Sequence, residues 1–595
     1  MNELLYIDGQ LVDLGDGVNI TLNYKSNMLT DLSKIVGNNS YTIKLPKTMR
    51  NLSIIGMSDV PSVVSSFPRE YHECRYFRNG VEIIPNGKAV LMGVGDSIEI
   101  VITWGGASAL FRLIDEGKKL NEFTNSNDWV YWTKNASPYG YTGNDNILFS
   151  DIDMGIKSES ELAALHPCVR STYVLDLIKA EYGLDITFPS ERESFIKRLI
   201  IPLLTTKGGR IQEMMSMLKM TYESNDNISM TSPYGWVVTE KGQEMTSYFK
   251  VNEFDFDDFI GNEIVMNVTV KTDCHLVFTP DIHHDSPDVK IQYGSDVLEN
   301  ELFFPYTIER EGVYVFNTPV ELDLSEGDAF RIATNFVDYG STISVVSKPN
   351  SIKVGDRFPI IENLPDIKVI EFLKSLASLS GTFVTPSNDG NSISFVPFDV
   401  LKDIGSCVDW SNSLLSADSF IRPMNIVYSL EDFARNNNML WKEDDTVNII
   451  ANGSIKVDDD TIELERDAVQ LPFAASDMTR NRAKIKLYVY NDEDKPELQD
   501  VEPRILVEKD VNGYSTGSFD GLHWSTLISK YYQSYQDAVR KPVIITENIR
   551  LNELSLRDLN VAKPVYLRQY GKYYAVVEVK ASSNGVCECK LLQLD

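Results

Sequence analysis

The chain has 595 residues, and its 86 acidic side chains outnumber its 56 basic ones, for a formal net charge of -30. This excess argues against a nucleic-acid clamp, which needs a basic stripe to displace counterions from phosphates, although an acidic wall past which DNA slides stays open. The length predicts several domains, because one hydrophobic core rarely grows beyond roughly 250–300 residues.

Strand patterns dominate residues 1–105. NITLNYK and SYTIKLPK alternate, and KAVLMGVGDSIEIVITW holds two apolar runs around a Gly-Asp turn. In SYTIKLPK, Tyr41, Ile43 and Leu45 share one face of a strand, and Pro46 ends the pairing because it has no amide hydrogen. We expect an antiparallel β-barrel over this range.

A helix and an aromatic loop are predicted to form a connector at 106–165. SALFRLIDE at Ser108–Glu116 has helical spacing, and the residues after it are rich in Asn, Gly, Ser and aromatic rings. Long connections without regular structure are uncommon in compact domains and are often functional. These rings could stack on sugar rings or on a neighbouring subunit, or could be buried against their own domain. The candidate contact residues are Trp129, Tyr131, Trp132 and Tyr139.

Two similar segments flank the middle of the chain. VRSTYVLDLIKAEYGLDITF and LPDIKVIEFLKSLASLSGTFV each predict a helix, a glycine stop and a strand. Val174–Lys179 matches Val369–Lys374 in residue type at every position, which indicates two related α+β modules. Chance resemblance of two amphipathic helices stays open as the alternative. The predicted modules are 166–240 and 351–400.

Strand patterns also fill 241–350 and 401–595. In the first range, runs such as EIVMNVTVKTD and HLVFTP predict a jelly-roll-like β-sandwich inserted between the modules. There, VELDLSEGDAFRIAT predicts a strand, a tight turn and a second strand. The second range predicts another barrel, with one helix at His523–Tyr535.

Cysteines and apolar runs indicate the compartment. Six cysteines are scattered without a CxxC pair, as is typical of reduced, buried thiols. No segment approaches the roughly 18 apolar residues of a membrane span. The N-terminus MNELLYIDGQLVDLG lacks the basic region and apolar core of a secretory signal. We expect a soluble protein without stable membrane insertion.

Residues that could hold a metal are few. His283 and His284 are adjacent, and on a strand they would point to opposite faces. Together with His275 they could share a metal only if they lay on a turn. We therefore expect a polar loop at the sandwich rim and no metal site.

Signals for catalysis are weak. Phosphate-loop and HExxH motifs are absent from the sequence. Acidic clusters such as EFDFDDF are best interpreted as solvated surface. A glycoside hydrolase would need a carboxylate pair about 5–10 Å apart, for which Glu253, Asp255 and Asp257 are the candidates. The prediction is a protein that is not an enzyme and has no catalytic residue and no cofactor.

Four stretches, in this order along the chain, carry a family resemblance. SYTIKLPKTMRN, YFRNGVEIIPNGKAVL, LPDIKVIEFLKSLASLSGTFV and KPVYLRQYGKYYAVVEVK resemble parts of tail tip and baseplate hub proteins from phages that infect Bacteroidetes. The resemblance implies a homotrimeric ring in which two tube-like barrels per subunit, here 1–105 and 401–595, mimic the sixfold tail tube. Helix-on-sheet modules would bind the barrels together, and the fold class would be mainly β with α+β modules.

The resemblance also suggests an assembly interface. Where barrels of neighbouring subunits abut, the apolar face of SYTIKLPKT would pack in its own barrel while its charges met acidic neighbours. Each exposed pair would add at most about 1 kcal/mol, so the charges would select register more than they stabilise. The candidate interface residues are Tyr41, Lys44, Lys47 and Arg50.

The leading hypothesis is a structural virion protein of the phage tail, assembled in the host bacterial cytoplasm. It would join the tail tube to the host-contacting baseplate without catalysis. Its expected partners are further copies of the chain and tail tube, distal tail, fibre or central spike proteins, with a host surface glycan as an open further partner. The alternative is a carbohydrate-binding receptor-binding protein, an adhesin centred on 245–350 and on the aromatic loop at 121–146.

Overall fold

The protein is mainly β, with several antiparallel sheets, as the sequence predicts. It folds into two compact units: Met1–Asn127, Thr133–Leu204 and Leu364–Asp595 form the first, and Asp128–Trp132 and Thr205–Asn363 form the second. The computed structural model describes residues 3–28, 37–105, 107–126, 128–131, 145–155, 166–205, 218–224, 227–231, 237–238, 249–254, 266–270, 274–284, 286–295, 299–310, 312–324, 328–334, 342–349, 357–386, 392–415, 422–490, 496–511 and 514–594.

The first unit is built around a sheet of 14 strands, here called the large sheet. Its strands are β1 Glu3–Ile7, β2 Gln10–Leu11, β3 Leu22–Lys25, β4 Asn38–Ser40, β5 Ile43–Leu45, β6 His72–Arg78, β7 Val81–Val94, β8 Ile98–Trp104, β9 Val408–Asp409, β10 Asn425–Val427, β11 Ile544–Arg550, β12 Val565–Leu567, β13 Lys572–Ala581 and β14 Val586–Leu594.

Both ends of the chain contribute to the large sheet. Its order is β2-β1-β6-β7-β8-β4-β3-β13-β14-β11-β10, with β5 beside β8, β12 beside β13 and β9 beside β12. β3 pairs antiparallel with β13 from Leu22 opposite Ala581 to Lys25 opposite Glu578, a junction that we call the terminal seam. The order has two ends, so the described strands do not close. The expected pair of separate barrels is replaced by one open sheet, because the terminal seam joins the strands of the two predicted barrels.

One hydrophobic core lies under this sheet. In β8, side chains alternate between buried and half-buried from Ile98 to Trp104, as a strand with one face in the core requires. The core cluster contains residues from both ends of the chain, including Leu5, Ile100, Val579 and Leu591. The two terminal segments therefore share a core, and neither buries its apolar face alone.

Eight α-helices are described, all in the first unit. Three of the eight, Met49–Ile54, Ser190–Lys197 and Glu553–Arg557, were not predicted, and two, Trp524–Tyr531 and Gln533–Arg540, replace the single helix predicted at His523–Tyr535. No described helix is long and apolar enough to span a bilayer. They are α1 Met49–Ile54, α2 Ala107–Glu116, α3 Ser171–Tyr182, α4 Ser190–Lys197, α5 Val369–Ser380, α6 Trp524–Tyr531, α7 Gln533–Arg540 and α8 Glu553–Arg557. Single 3-10 turns occur at Phe67–Arg69, Leu120–Glu122, Ile361–Asn363, Phe398–Lys402, Ile404–Ser406 and Ser411–Ser413.

The two helix–glycine–strand segments end as predicted and meet in one sheet. α3 is capped by Gly183 and α5 by Gly381, both in the left-handed conformation that glycine adopts without strain. The strand after α3, Asp185–Thr187, runs parallel to Ser392–Pro397, which pairs antiparallel with Thr382–Pro386 after α5. The segments thus share one three-stranded sheet.

Further small sheets complete the first unit. A five-stranded sheet has the order Ile147–Ser150, His166–Arg170, Leu199–Pro202, Leu506–Val511, Tyr514–Ser518. A three-stranded sheet has the order Gly453–Lys456, Asn436–Lys442, Glu465–Ala474. Two-stranded pairs are Asp477–Thr479 with Arg482–Lys484, and Tyr488–Tyr490 with Pro496–Leu498.

The second unit contains two larger antiparallel sheets. One has the order Val237–Val238, Asn227–Thr231, Leu218–Ser224, Thr342–Pro349, Cys274–His284, Val313–Phe316, Thr307–Arg310, with Val320–Leu324 also beside Cys274–His284. The other has the order Phe249–Phe254, Met266–Val270, Ala329–Thr334, Val289–Gly294, Asn300–Phe303. Trp129–Tyr131 pairs with Arg357–Pro359.

The predicted strand–turn–strand at VELDLSEGDAFRIAT is not a hairpin. Val320–Leu324 pairs with Cys274–His284 in one sheet, whereas Ala329–Thr334 pairs in the other sheet. Phe278 and Phe330, one from each sheet, are buried and pack edge to face with ring centroids 5.2 Å apart. The chain therefore passes from one sheet to the other between these two strands.

Candidate assembly surface

The basic residues of the predicted interface form a cluster that we call the basic tip: Lys44, Lys47 and Arg50. Lys44 lies opposite Glu99 on β8, with Nζ 3.5 Å from the carboxylate. Lys47 lies 3.5 Å from Asp59, and Arg50 donates to Asp13 at 2.6 Å. Each cation of the basic tip therefore has an acidic partner within its own chain. All three side chains of the basic tip are exposed, so the basic tip remains a candidate interface.

The strand beneath the tip differs from the prediction at Tyr41. Ile43 and Leu45 are buried and the pairing ends before Pro46, as predicted, but Tyr41 is exposed. The strand breaks between β4 and β5 because the amide of Ile102 on β8 donates to Oγ of Ser40 at 2.9 Å instead of to a main-chain carbonyl. Alternation in the sequence does not show that a side-chain oxygen accepts this hydrogen bond in place of a main-chain carbonyl.

An apolar loop follows the basic tip. Met49 at the start of α1, together with Val60, Val63 and Val64, is exposed. The loop is held near the tip by the Lys47–Asp59 ion pair. α1 itself was not predicted, although Thr48 gives its signal by accepting a hydrogen bond from the amide of Asn51, as an N-cap residue does.

A second exposed apolar feature is the last strand of the large sheet. Met424, Ile426, Val427 and Tyr428, here called the apolar edge, are exposed, with Met424 at 58% and Tyr428 at 67%. β10 pairs with β11 on one side, and no other described strand pairs with its second side. The sequence predicts a strand here, but alternation carries no information on whether a strand lies inside a sheet or at its edge.

The opposite end of the large sheet is built differently. β2 has only two residues, which pair with Tyr6 and Ile7 of β1. The amide of Val12 then donates to the carbonyl of Leu5 at 2.8 Å, so that the chain covers part of β1. A short edge strand of this kind limits pairing with other chains. The apolar edge is therefore the more open of the two ends.

The aromatic candidates of the connector lie in part within the second unit. Trp129 and Tyr131 belong to the strand that pairs with Arg357–Pro359, and Trp129 is exposed. Trp132 and Tyr139 lie outside the described residues. The predicted contact of these rings with a glycan or partner stays a prediction.

The two adjacent histidines lie at the end of a strand and not in the polar loop that the sequence predicts. In Cys274–His284, His283 is half exposed with Nδ1 3.7 Å from a carboxylate oxygen of Glu309, whereas His284 is buried and accepts from the amide of Ser286 at 2.7 Å. The two rings therefore point to opposite faces. Within the described part of the chain, no three His, Cys, Asp or Glu side chains are grouped as metal ligands.

The carboxylates named for a glycoside hydrolase are described only in part. Glu253 lies in the strand Phe249–Phe254, while Asp255 and Asp257 lie outside the described residues. The five cysteines whose side chains are described, Cys74, Cys168, Cys407, Cys587 and Cys589, form no disulfide. Burial raises the pKa of Cys74 to about 12 and that of Cys587 to about 11. Such thiols stay protonated and are poor nucleophiles at neutral pH.

Comparison with known proteins gives one distant similarity to report. No family model matches the chain, and no curated protein matches it. Among solved structures, the 43 kDa tail protein of prophage MuSo2 from Shewanella oneidensis is similar over 100% of this chain and 97% of that chain, with 6% sequence identity and a TM-score of 0.32. Chains with the same fold have higher TM-scores, so the proposals below rest on the residues of this chain.

Proposed function

We propose that the protein is a structural component of a phage tail, a hub or tail tip that joins the tail tube to the host-contacting baseplate. It acts by assembling with copies of itself, as a homotrimer, and with other tail proteins, without catalysis. Support comes from the four sequence stretches that resemble such proteins. Three of them, at β4–β5, β6–β7 and β12–β13, belong to the same large sheet, although the last is distant in sequence from the other two.

The observation that carries the proposal is the apolar edge. An exposed, apolar strand edge presents unpaired main-chain groups, and natural proteins cover such edges or place charges on them. Met424, Ile426, Val427 and Tyr428 carry no charge, although the chain as a whole has a net charge of -30. We therefore expect another protein surface to cover the apolar edge in the assembled state. A second copy of the chain can supply that surface, as in a symmetric oligomer.

In this proposal the apolar edge packs on a different surface of the next copy, at its basic tip. Joining two different surfaces gives a head-to-tail contact, which closes into a ring when the rotation permits. The exposed charges of the basic tip then contribute to register more than to affinity, since exposed ion pairs contribute at most about 1 kcal/mol. Coverage of the apolar edge provides most of the affinity through burial of apolar area.

The decisive experiment measures mass and shape together. Light scattering coupled to size-exclusion chromatography at micromolar concentration is expected to give three times the 67.2 kDa of one chain. Negative-stain images of the same fraction are expected to show rings with a central hole. A monomer of elongated shape at every concentration would overturn the proposal and favour the adhesin.

The adhesin remains the second candidate because the second unit carries exposed aromatic rings. Trp129, Phe303 and Tyr306 are exposed there. Aromatic residues are enriched at binding interfaces relative to the rest of a protein surface. Binding of the intact protein to cell-surface polysaccharide, with no ring in images of the pure protein, would favour this function over the hub.

A further inference from the structure

Two edge strands of the second unit are linked by a short, well-held connection. Asn300–Phe303 is the last strand of one sheet and Thr307–Arg310 is the last strand of the other. Between them, Phe304 is buried, and its amide donates to the carbonyl of Val289 at 3.0 Å. The residues on either side of Phe304 are therefore fixed in position at the rim of the unit.

Two aromatic rings flank this buried anchor, and we call Phe303 and Tyr306 the aromatic rim. Phe303 is 50% exposed and Tyr306 is 45% exposed. The Tyr306 ring packs edge to face against Tyr314 at 5.0 Å and against the buried Phe316 at 5.7 Å, between ring centroids. Because the ring is already held, a ligand that stacks on it orders little additional side-chain freedom.

Polar side chains lie in a row beside Phe303. Lys290 is directly opposite Phe303, and Gln292 is directly opposite Glu301, so all four share one face of the sheet. Glu301 accepts a hydrogen bond from Gln292 at 2.7 Å and lies 3.1 Å from Nζ of Lys290. The same ammonium lies 5.3 Å from the centroid of the Phe303 ring.

We propose that the aromatic rim and this polar row form a binding platform for a neutral saccharide. One face of a pyranose ring presents polarised C–H groups, which are attracted to the negative face of an aromatic ring, while its hydroxyl groups need donors and acceptors nearby. Phe303 and Tyr306 supply the aromatic rings. The Cα atoms of these two residues are at most about 11 Å apart, because they are three positions apart in the chain. Glu301 and Gln292 supply acceptors and donors.

The charges of the platform favour a neutral ligand. Lys290 is paired with Glu301 and lies 3.8 Å from Asp288, so its charge is locally compensated. The chain has a net charge of -30, which repels polyanions. The platform therefore selects neutral hexose chains over sialylated or sulfated ones. It belongs to the second unit alone, and its binding does not depend on assembly through the large sheet.

The test uses the full-length protein on an array of neutral hexose oligosaccharides, with sialylated and sulfated oligosaccharides as the contrast. Wild type is expected to bind members of the neutral set. Phe303→Ala and Tyr306→Ala are each expected to weaken binding at least tenfold, while Phe303→Trp keeps it. The matched control is Tyr514→Ala, which removes an equally exposed tyrosine from the first unit and is expected to bind like wild type.

Circular dichroism and a thermal melt check that each variant is folded. Three results would overturn the proposal. They are no binding to any sugar on the array, binding only to the anionic sugars, or binding to neutral sugars that both folded alanine variants retain. Oligomeric mass is measured on the same samples. Binding by a monomer would support the platform while contradicting the hub, so the two proposals fail separately.

Discussion

Arg78 on β6 donates a hydrogen bond from Nη1 to the carbonyl of Ser582, which follows β13, at 3.0 Å. Its side chain is buried, with Nη2 donating to the carbonyl of Ile20 at 3.1 Å and Nε to the hydroxyl of Tyr76 at 3.1 Å. Glu3 lies 3.5 Å away and supplies the countercharge. One buried cation thus ties together both sides of the terminal seam.

Arg78→Met should therefore loosen the terminal seam. The change leaves two main-chain carbonyls without their donor and the Glu3 carboxylate without its countercharge in a buried site, which costs about 3–5 kcal/mol. Hydrogen exchange read by mass spectrometry should show faster exchange in peptides covering 22–25 and 578–581. Local exchange is the right measure because the chain has two compact units and need not unfold in one step.

The control for this change lies on the same strand. Arg75 is exposed and pairs with Glu82 at 2.6 Å, so Arg75→Met should cost at most about 1 kcal/mol and leave seam exchange unchanged. Equal exchange in the two methionine variants would show that Arg78 does not hold the seam.

The seam also shows what the sequence could and could not predict. Alternation correctly marks strands at β3 and β13, because burial of one face requires it. It does not show that Leu22 pairs with Ala581, since a strand pattern indicates a buried face but not a neighbour. The two predicted barrels failed for this reason. The helix stops at Gly183 and Gly381 were predicted correctly because their cause is local.

Features of the candidate surface divide in the same way. The exposure of Lys44 follows from local alternation within its strand, which can be read from the sequence. The apolar edge depends on which strand ends the sheet, and the aromatic rim depends on where the chain changes sheets. Both are consequences of pairing between distant segments, which alternation along one segment does not show.

The two helix-capping glycines should respond differently to alanine. Both have positive φ, +63° at Gly183 and +60° at Gly381, so alanine at either should cost about 1–2 kcal/mol in backbone strain. A Cβ at Gly183 meets nothing within 4 Å, whereas at Gly381 it would lie 2.4 Å from Cβ of Tyr531. Gly381→Ala should therefore cost about 2 kcal/mol more, since overpacking adds to the strain.

Exchange protection of α3 and α5 measures this difference. Each variant is read at its own helix, with the other helix as an internal reference. The expectation is a modest rise in exchange at α3 for Gly183→Ala and a much larger rise at α5 for Gly381→Ala. Equal effects would mean that Tyr531 moves away without cost.

His166 should make the first unit sensitive to acid. Burial lowers the pKa of His166 to about 4. A hydrogen bond from Nε2 to the carbonyl of Leu203 at 2.8 Å raises this pKa, but the effect of burial is larger. The usual histidine pKa is near 6.5, so between about pH 6.5 and 4 the unfolded chain binds a proton that the folded chain refuses. Stability is fully present above pH 6.5 and falls as the pH drops towards 4, by about 3 kcal/mol.

His166→Gln keeps an amide donor at the end of the side chain but removes the titrating group. Its unfolding free energy should be lower than that of wild type at pH 7.5 and should depend less on pH between 6.5 and 4. His283→Gln, at an exposed position, is expected to keep the wild-type slope. Hydrogen exchange of peptides covering 166–170 and 199–202, compared with wild type at each pH, measures these slopes locally, and an unchanged slope in His166→Gln would contradict the assignment.

Assembly should depend on the apolar edge more than on apolar surface in general. Ile426→Lys places a charge on a strand whose second side is unpaired among the described strands, which is how natural edge strands prevent pairing. Because the side chain is exposed, the folded monomer should lose at most a few tenths of a kcal/mol, while the subunit dissociation constant should rise at least tenfold. Leu554→Lys, which changes an exposed leucine on α8, should leave it unaltered. Analytical ultracentrifugation over a concentration series gives the subunit dissociation constant of each variant. If Ile426→Lys assembles as wild type does, copies of the chain do not meet at β10.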